Sequence, residues 1–265
     1  MYSVTYHRAA SLADAARQLK TGDAKLLSGG MTLIPAMKTR LAAPADLVDV
    51  SRLKELQGVR VSGKTVTIGA ATTHYDVSTD EKLKKVCPAL AHMASLIGDP
   101  AVRHKGTIGG SIANNDPAAD YPAALLALGA TVVTNKREIA ADKFFKGLFE
   151  TALKDGEIIT AVTFTAPAKA AYQKFRNPAS RYAIVGVFVA KGKDGVRAAV
   201  TGAGEEGVFR SKEVEAVLAK AFDAAALDGL KIPAKGLMSD LHATADYRAN
   251  LIAVMAKRAV AAANA

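Results

Sequence analysis

The chain has 265 residues, with 35 Lys and Arg against 25 Asp and Glu, one Cys and no Trp. That length supports one large domain or two smaller ones, and a 23% charged fraction excludes a disordered chain. A single cysteine excludes an internal disulfide, and also a zinc or iron–sulfur site built from this chain's own thiolates. No run of 18 apolar residues reads as a membrane span, and the segment Met1 to Arg8 lacks the apolar centre of a signal peptide. A cytoplasmic location is therefore expected. The formal charge of +10 invites a nucleic-acid reading. The basic residues are scattered, however, and Lys82, Lys84 and Lys85 form the densest cluster without interleaved aromatics, so an acidic partner or anionic ligand accounts for the charge as well.

In chain order, Ser11 to Lys20 reads as a short helix with Ser11 as N-cap and Gly22 past its end. Lys25-Leu26-Leu27 reads as a strand stopped by Gly29-Gly30, Thr32 to Arg40 as a brief helix or turn containing Pro35, and Asp46 to Val50 as a strand. This alternation predicts βαβ organisation. Strands are expected at Gly58–Val61 and Thr65–Ala70, helices over 73–85 and 88–97, and a long irregular loop from Gly98 to Pro122. A small helix over Ala123–Leu128 and strands at Ala130–Val133 and Ile158–Phe164 follow. Pro167 to Ala171 reads as a linker. Beyond it, Tyr172–Arg176, Ala183–Lys191 and Val196–Thr201 read as strands, the last two joined by a hairpin at Gly192-Lys193-Asp194-Gly195. Helices are expected at Ser211–Ala221 and Thr244–Ala262, the second with an apolar face at Leu251, Val254 and Met255. The C-terminal hundred residues thus read as a separate α+β unit.

Two glycine pairs carry the chemistry. Ser28-Gly29-Gly30-Met31-Thr32 follows a strand and precedes a helix, so backbone N–H groups there can approach a phosphate, with Thr32 adding a hydroxyl. The segment Arg103 to Asp120 contains Thr107-Ile108-Gly109-Gly110-Ser111, whose hydroxyls suit phosphate oxygens. Asn114, Asp116 and Asp120 follow as acceptors for ribose hydroxyls or flavin N–H groups. Together they predict a dinucleotide held between two lobes. The literal GxGxxG at Gly202–Gly207 is set aside, because Glu205 and Glu206 would oppose a pyrophosphate and no βαβ unit surrounds it. Cys87, in Val86-Cys87-Pro88, reads as a buried small hydrophobe. His7, His74, His92, His104 and His242 show no metal-binding spacing, and His104 reads as a solvent-facing loop residue.

At these two loops the sequence resembles the FAD-binding medium subunit of molybdenum hydroxylases, the group that includes aerobic carbon monoxide dehydrogenase and xanthine dehydrogenase. The first motif, close to A-G-G-x-[ST]-L-x-P-x-[ML]-K, reads here Ser28 to Lys38. The second, close to V-R-x-x-G-T-[IL]-G-G followed by P-x-x-D, runs from Val102 to Asp120 without a gap. Tyr172–Arg176 with Tyr182–Val185, and Ser239–Arg248, resemble the family's C-terminal part, so the resemblance covers essentially the whole chain. Ser28 stands where Ala is usual, Met31 where Gln or His is frequent, and His104-Lys105 where Asn-Arg is common.

The resemblance implies an α+β fold of the PCMH type (vanillyl-alcohol-oxidase-like) over residues 1–167, in subdomains of about 1–57 and 58–167. A C-terminal domain over 172–265 follows, built on a three-stranded meander with helices. It implies FAD as cofactor. Gly29, Gly30 and Thr32 would hold the pyrophosphate from one side and Thr107, Gly109, Gly110 and Ser111 from the other, with Ser28, Met31 and Ile108 as further cofactor-binding residues of the same segments. Asn114 and Asp116 would lie along the flavin and Asp120 would contact a ribose. Lys174 and Tyr182 would lie near the isoalloxazine on a looser alignment, with a strand-start core aromatic as the plainer reading of Tyr182. No general base is implied.

The implied enzyme is heteromeric, a dimer of heterotrimers. A large subunit carries the molybdenum cofactor and a small one two [2Fe–2S] clusters. This chain passes their electrons through FAD to an external acceptor, in the cytoplasm or at the inner face of the membrane. The alternatives are a free-standing flavin reductase or oxidase, resembling the enolpyruvyl-glucosamine reductase of wall synthesis, and a non-catalytic nucleotide-binding assembly subunit.

Overall fold

The structure is a computed structural model and describes every residue except Thr21. The first lobe alternates strand and helix: β1 (Thr5–Arg8), α1 (Leu12–Gln18), β2 (Ala24–Leu27), α2 (Leu33–Lys38) and β3 (Asp46–Asp49). All three strands are parallel in the order β1-β3-β2, the outcome expected of βαβ units. Ser11 caps α1 as expected, its Oγ accepting from the Asp14 amide at 3.1 Å. The strand β1 was not anticipated, because its side chains are mostly exposed and carry no hydrophobic alternation.

The second lobe runs β4 (Val59–Ser62), β5 (Thr65–Gly69), α3 (His74–Thr79), α4 (Glu81–Val86), α5 (Pro88–Ser95), α6 (Pro100–Arg103), α7 (Ile108–Asn114), α8 (Asp120–Ala127), β6 (Thr131–Thr134), β7 (Glu138–Ala140), α9 (Ala141–Phe144), β8 (Phe145–Gly147), β9 (Glu150–Thr151) and β10 (Ile159–Thr165). Its sheet is antiparallel throughout, in the order β4-β5-β10-β6-β7. Two expectations need correction. The single helix expected over 73–85 breaks at Asp80, whose carboxylate turns to cap α4 at the Leu83 amide. The long loop expected over 98–122 is mostly helical: α6, α7 and the start of α8 occupy it. Asp99 and Thr107 supply N-caps for α6 and α7, and left-handed Asn115 ends α7, so capping overrides the poor helix propensity of Gly109-Gly110.

The C-terminal part contains β11 (Lys169–Arg176), β12 (Ala183–Gly192), β13 (Gly195–Thr201), β14 (Phe209–Arg210), α10 (Lys212–Lys220) and α11 (Ala245–Asn264). The expected linker is largely strand, since Lys169 to Ala171 pair with Lys191 to Val189. The expected three-stranded meander gains a fourth, two-residue strand, giving β11-β12-β13-β14. The hairpin at 192–195 forms as expected.

Strand β12 is buried on both faces. Val185, Val187 and Val189 pack with Leu251, Ile252, Met255 and Ala259 of α11, whereas Phe188 and Ala190 join Tyr172, Leu90, Met93 and Leu125 in the core of the second lobe. The alternation of period two sends successive side chains into two different cores. Among the described residues no helix is long and apolar enough to cross a membrane.

Cys87 lies in the second lobe's core, 1% exposed, and burial pushes its thiol up to about 11. A thiol held neutral and sealed from reagent should be inert. Native protein at pH 8 is expected to leave Ellman's reagent unreacted until denaturant is added; prompt reaction of one equivalent would contradict the packing.

Candidate functional site

The two glycine segments, far apart in sequence, meet in space. Strand β2 ends at Leu27 and the chain turns through Ser28-Gly29-Gly30, with Gly30 at φ +71°, a region that suits glycine. A Cβ on Gly29 would collide with the Lys105 carbonyl and lie 2.8 Å from the Gly106 Cα, so the turn sits directly against the second segment. The Ser28 and Thr107 hydroxyls lie 3.0 Å apart and join the two. Gly109 is pressed onto β5's end: a Cβ there would come within 2.6 Å of the Ala70 Cβ.

The two segments differ in what they leave free. In the second, the first-turn amides of α7 are already engaged, Ile108 by the Thr72 carbonyl, Gly109 by the Ala70 carbonyl and Gly110 by Thr107 Oγ1. In the first, the amides of Gly29, Gly30, Met31 and Thr32 have no acceptor among the described residues. Four successive free N–H groups form a donor surface that calls for an anion. That surface lines a cavity of about 720 Å³, within the range of ligand sites.

Around this cavity the structure gathers Ser28, Gly29, Gly30, Met31, Thr32, Thr107, Gly109, Gly110, Ser111, Asn114, Asp116, Asp120 and Tyr182. Two expected residues are not among them. Ile108 is fully buried in the second lobe's core, and its amide is taken. The Lys174 side chain is 2% exposed and is sunk between the Leu96 carbonyl and Asp120, 3.0 Å from each. Asp120 does reach the wall, but Tyr172 Oη donates to one of its oxygens and Lys174 Nζ to the other. Burial pushes its carboxyl up, against the opposing pull of Lys174 and Tyr172. Asp116, half-buried, accepts from the Ala118 amide at 2.8 Å, and burial raises its carboxyl too. Tyr182 is half exposed, and burial beside Asp116 and Asp120 raises its phenol.

Two further wall residues, His74 and Glu157, carry no motif that would have marked them. His74 is held neutral, its pKa brought down to about 4 by burial and by nearby Arg103, and its Nδ1 has no hydrogen-bond partner. His104, read as a solvent-facing loop residue, stacks on Tyr75 with ring centroids 4.1 Å apart, outside the cavity wall.

Glu157 is the other. Its carboxylate is bound by Arg137 Nε at 2.9 Å, Thr134 Oγ1 at 2.8 Å and the Lys154 amide at 2.9 Å. The Arg137 hydrogen bonds bring it down to about 2 from its ordinary 4.5. A carboxyl lowered on folding stabilises the protein above its ordinary value, and that contribution is lost as pH falls towards 2. Glu157→Gln is therefore expected to cost about 2 kcal/mol at pH 7, roughly 5 °C in Tm. The gap to wild type should narrow from about pH 4.5 and close only near pH 2; a gap independent of pH would contradict the assignment.

Comparison with known proteins decides the family. Residues 2–167 match the family model described as the FAD binding domain in molybdopterin dehydrogenase. The chain belongs to that family. It is similar to the carbon monoxide dehydrogenase medium chain of Hydrogenophaga pseudoflava, 36% identical over 275 residues that cover 97% of this chain and 96% of the relative. The corresponding medium chain of Afipia carboxidovorans is 36% identical, covering 99% and 97%. Among solved structures, reconstituted CO dehydrogenase from Oligotropha carboxidovorans superposes with a TM-score of 0.90 at 35% identity, over 99% of this chain and 98% of that one. Quinoline 2-oxidoreductase from Pseudomonas putida 86 superposes with a TM-score of 0.88 at 28% identity, over 99% and 97%.

The family places this chain as a medium, flavoprotein subunit of the molybdenum hydroxylase group, an oxidoreductase subunit with the α+β fold expected and with FAD as its cofactor. The residues present fit that cofactor: a row of unpaired amides for the diphosphate, glycines that keep side chains out, and a cavity of adequate size.

Proposed function

We propose that this chain is the flavin link of a heteromeric molybdenum hydroxylase similar to carbon monoxide dehydrogenase. The observation that carries the reading is the cavity between the two glycine segments, with its four free amides at Gly29 to Thr32. Those amides, with the hydroxyls of Thr32 and Ser111, would hold the FAD diphosphate. Asn114 and Asp116 would face the flavin side, and Tyr182 would border the isoalloxazine. Bound FAD supplies the conversion between electrons received singly and electrons delivered in pairs. The protein's own part is to bind, orient and shield. His74, held neutral, presents no cation of its own to the cofactor.

The partners in this reading are a large subunit with the molybdenum cofactor and a small subunit with two [2Fe–2S] clusters, in a dimer of heterotrimers. Substrate oxidation then belongs to the large subunit, and this chain needs no acid–base pair. The purified full chain, reconstituted with FAD, is expected to show a flavin absorption spectrum at one equivalent. Tagged protein from its native host is expected to bring down an iron–sulfur and a molybdenum subunit. Flavin bound without such partners would favour a free-standing reductase, and no flavin at all would leave an assembly subunit.

A further inference from the structure

The cavity wall from Asp116 to Asp120 is held by the C-terminal sheet as well as by the turn at Asp116. The Thr201 hydroxyl, 1% exposed at the end of β13, lies 2.6 Å from the Ala119 carbonyl and 3.0 Å from that of Pro117, sharing one proton between them. The Gly202 amide donates to the same Pro117 carbonyl at 2.8 Å. From β11, Tyr172 Oη and Lys174 Nζ take the two oxygens of Asp120. Behind this layer, Arg248 of α11 donates to the Gly202 carbonyl at 2.5 Å and to Ile184 at 2.6 Å, while Asp240 receives its other nitrogen at 2.7 Å. Gly202 itself sits at φ +80°, where a Cβ would strike the Ala183 carbonyl. Gly202, the first glycine of the GxGxxG at 202–207, is thus the member of that motif that bonds to this wall.

We propose that the C-terminal sheet, through Thr201, Gly202, Tyr172 and Lys174, fixes the Asp116–Asp120 wall of the flavin cavity, and that Asp120 is a positioning residue rather than a cofactor ligand. The inference rests on the flavin reading above. Its physical basis is charge compensation: both Asp120 and Lys174 are buried, and each is satisfied by the other before any ligand arrives. Removing one partner of a buried pair strands the other charge, whereas removing both does not. Holding the wall from a separate sheet also means that the wall's order depends on docking of that sheet, which places cofactor retention under the control of residues with no contact with the cofactor.

The test is FAD titration of the full-length apoprotein by flavin fluorescence, with apoprotein melting and the bound-flavin absorption spectrum recorded for every variant. Lys174→Met is expected to raise Kd at least tenfold, and Asp120→Asn to raise it as well. The Asp120→Asn/Lys174→Met double variant is expected to bind better than either single variant. Thr201→Val is expected to raise Kd at least tenfold and Thr201→Ser to stay within threefold of wild type, each measured well below its own Tm. A double variant that binds no better than Asp120→Asn would make Asp120 a ligand and overturn the proposal. So would wild-type affinity in Thr201→Val. If Thr201→Val or Lys174→Met does not fold, the milder Tyr172→Phe and Thr201→Ser decide the matter through hydrogen exchange of the Ala118 and Ala119 amides: protection lost in Tyr172→Phe and kept in Thr201→Ser supports the clamp, and protection unchanged in Tyr172→Phe overturns it. Failure of wild type to bind FAD would instead defeat the flavin reading itself.

Discussion

Gly110→Glu is expected to abolish FAD retention in a protein that still folds. Gly110 is exposed in the cavity, and a Cβ there meets only Thr107 Oγ1, at 3.0 Å. The longer side chain therefore has room at its root, and its carboxylate enters the cavity that the free amides of Gly29 to Thr32 also line. It would both repel the diphosphate and offer those amides an acceptor of their own. The affinity loss should be at least about a hundredfold, equivalent to about 2.7 kcal/mol, with Gly110→Ala costing far less. Equilibrium titration with FAD, beside circular dichroism and thermal unfolding of the apoprotein, checks it. Stoichiometric flavin in folded Gly110→Glu would move the site elsewhere.

Gly29→Ala is expected to act on the fold as well as on the cofactor. Its methyl would be aimed at the Lys105 carbonyl and the Gly106 Cα, and backbone cannot swing aside as a side chain can. Overpacking of this kind costs about 3 kcal/mol at its upper end, or roughly 6–12 °C in Tm. Because the strain falls where the first lobe meets the second, FAD affinity should drop with stability. Gly192→Ala is the control: nothing lies within 4 Å of its added Cβ and its φ is unexceptional, so Tm and affinity should both hold. Equal melting of the two variants would mean that the glycine segments do not touch.

Much of the site was readable in the sequence because glycine and hydroxyl residues at fixed spacing leave few alternatives. The Ser28–Thr32 and Thr107–Ser111 segments both reached the cavity, although that reading assigned phosphate donors to both. Their division of labour depends on which amides find acceptors, and the Ala70 and Thr72 carbonyls that occupy α7 come from the end of a strand some forty residues earlier. The helical character of 100–114 was hidden for a similar reason. Glycine pairs argue against helix, and only the caps at Asp99 and Thr107 with the close seat on Ala70 reverse that preference. The resemblance sets Lys174 near the isoalloxazine, whereas the structure buries it behind the cavity wall. Its burial requires Asp120, 54 residues away, and no local pattern announces the pair. Strands β1 and β7 to β9 are short and largely exposed, so they leave no periodic trace.

The position of β10 in its sheet governs how this protein is made. It is the central strand of β4-β5-β10-β6-β7, yet the last of the five to be synthesised. A ribosome delivering the chain N-terminus first presents β5 and β6 with their inner edges open, and Val66, Ile68 and Val132 lack their neighbour until Ile159–Thr165 emerges. Every nascent chain therefore passes through an interval with two exposed sheet edges, the kind of surface that recruits chaperones or other copies of itself. A chain cut short before Ile159 would stay in that condition, so the second lobe is an all-or-none product of translation past its final strand.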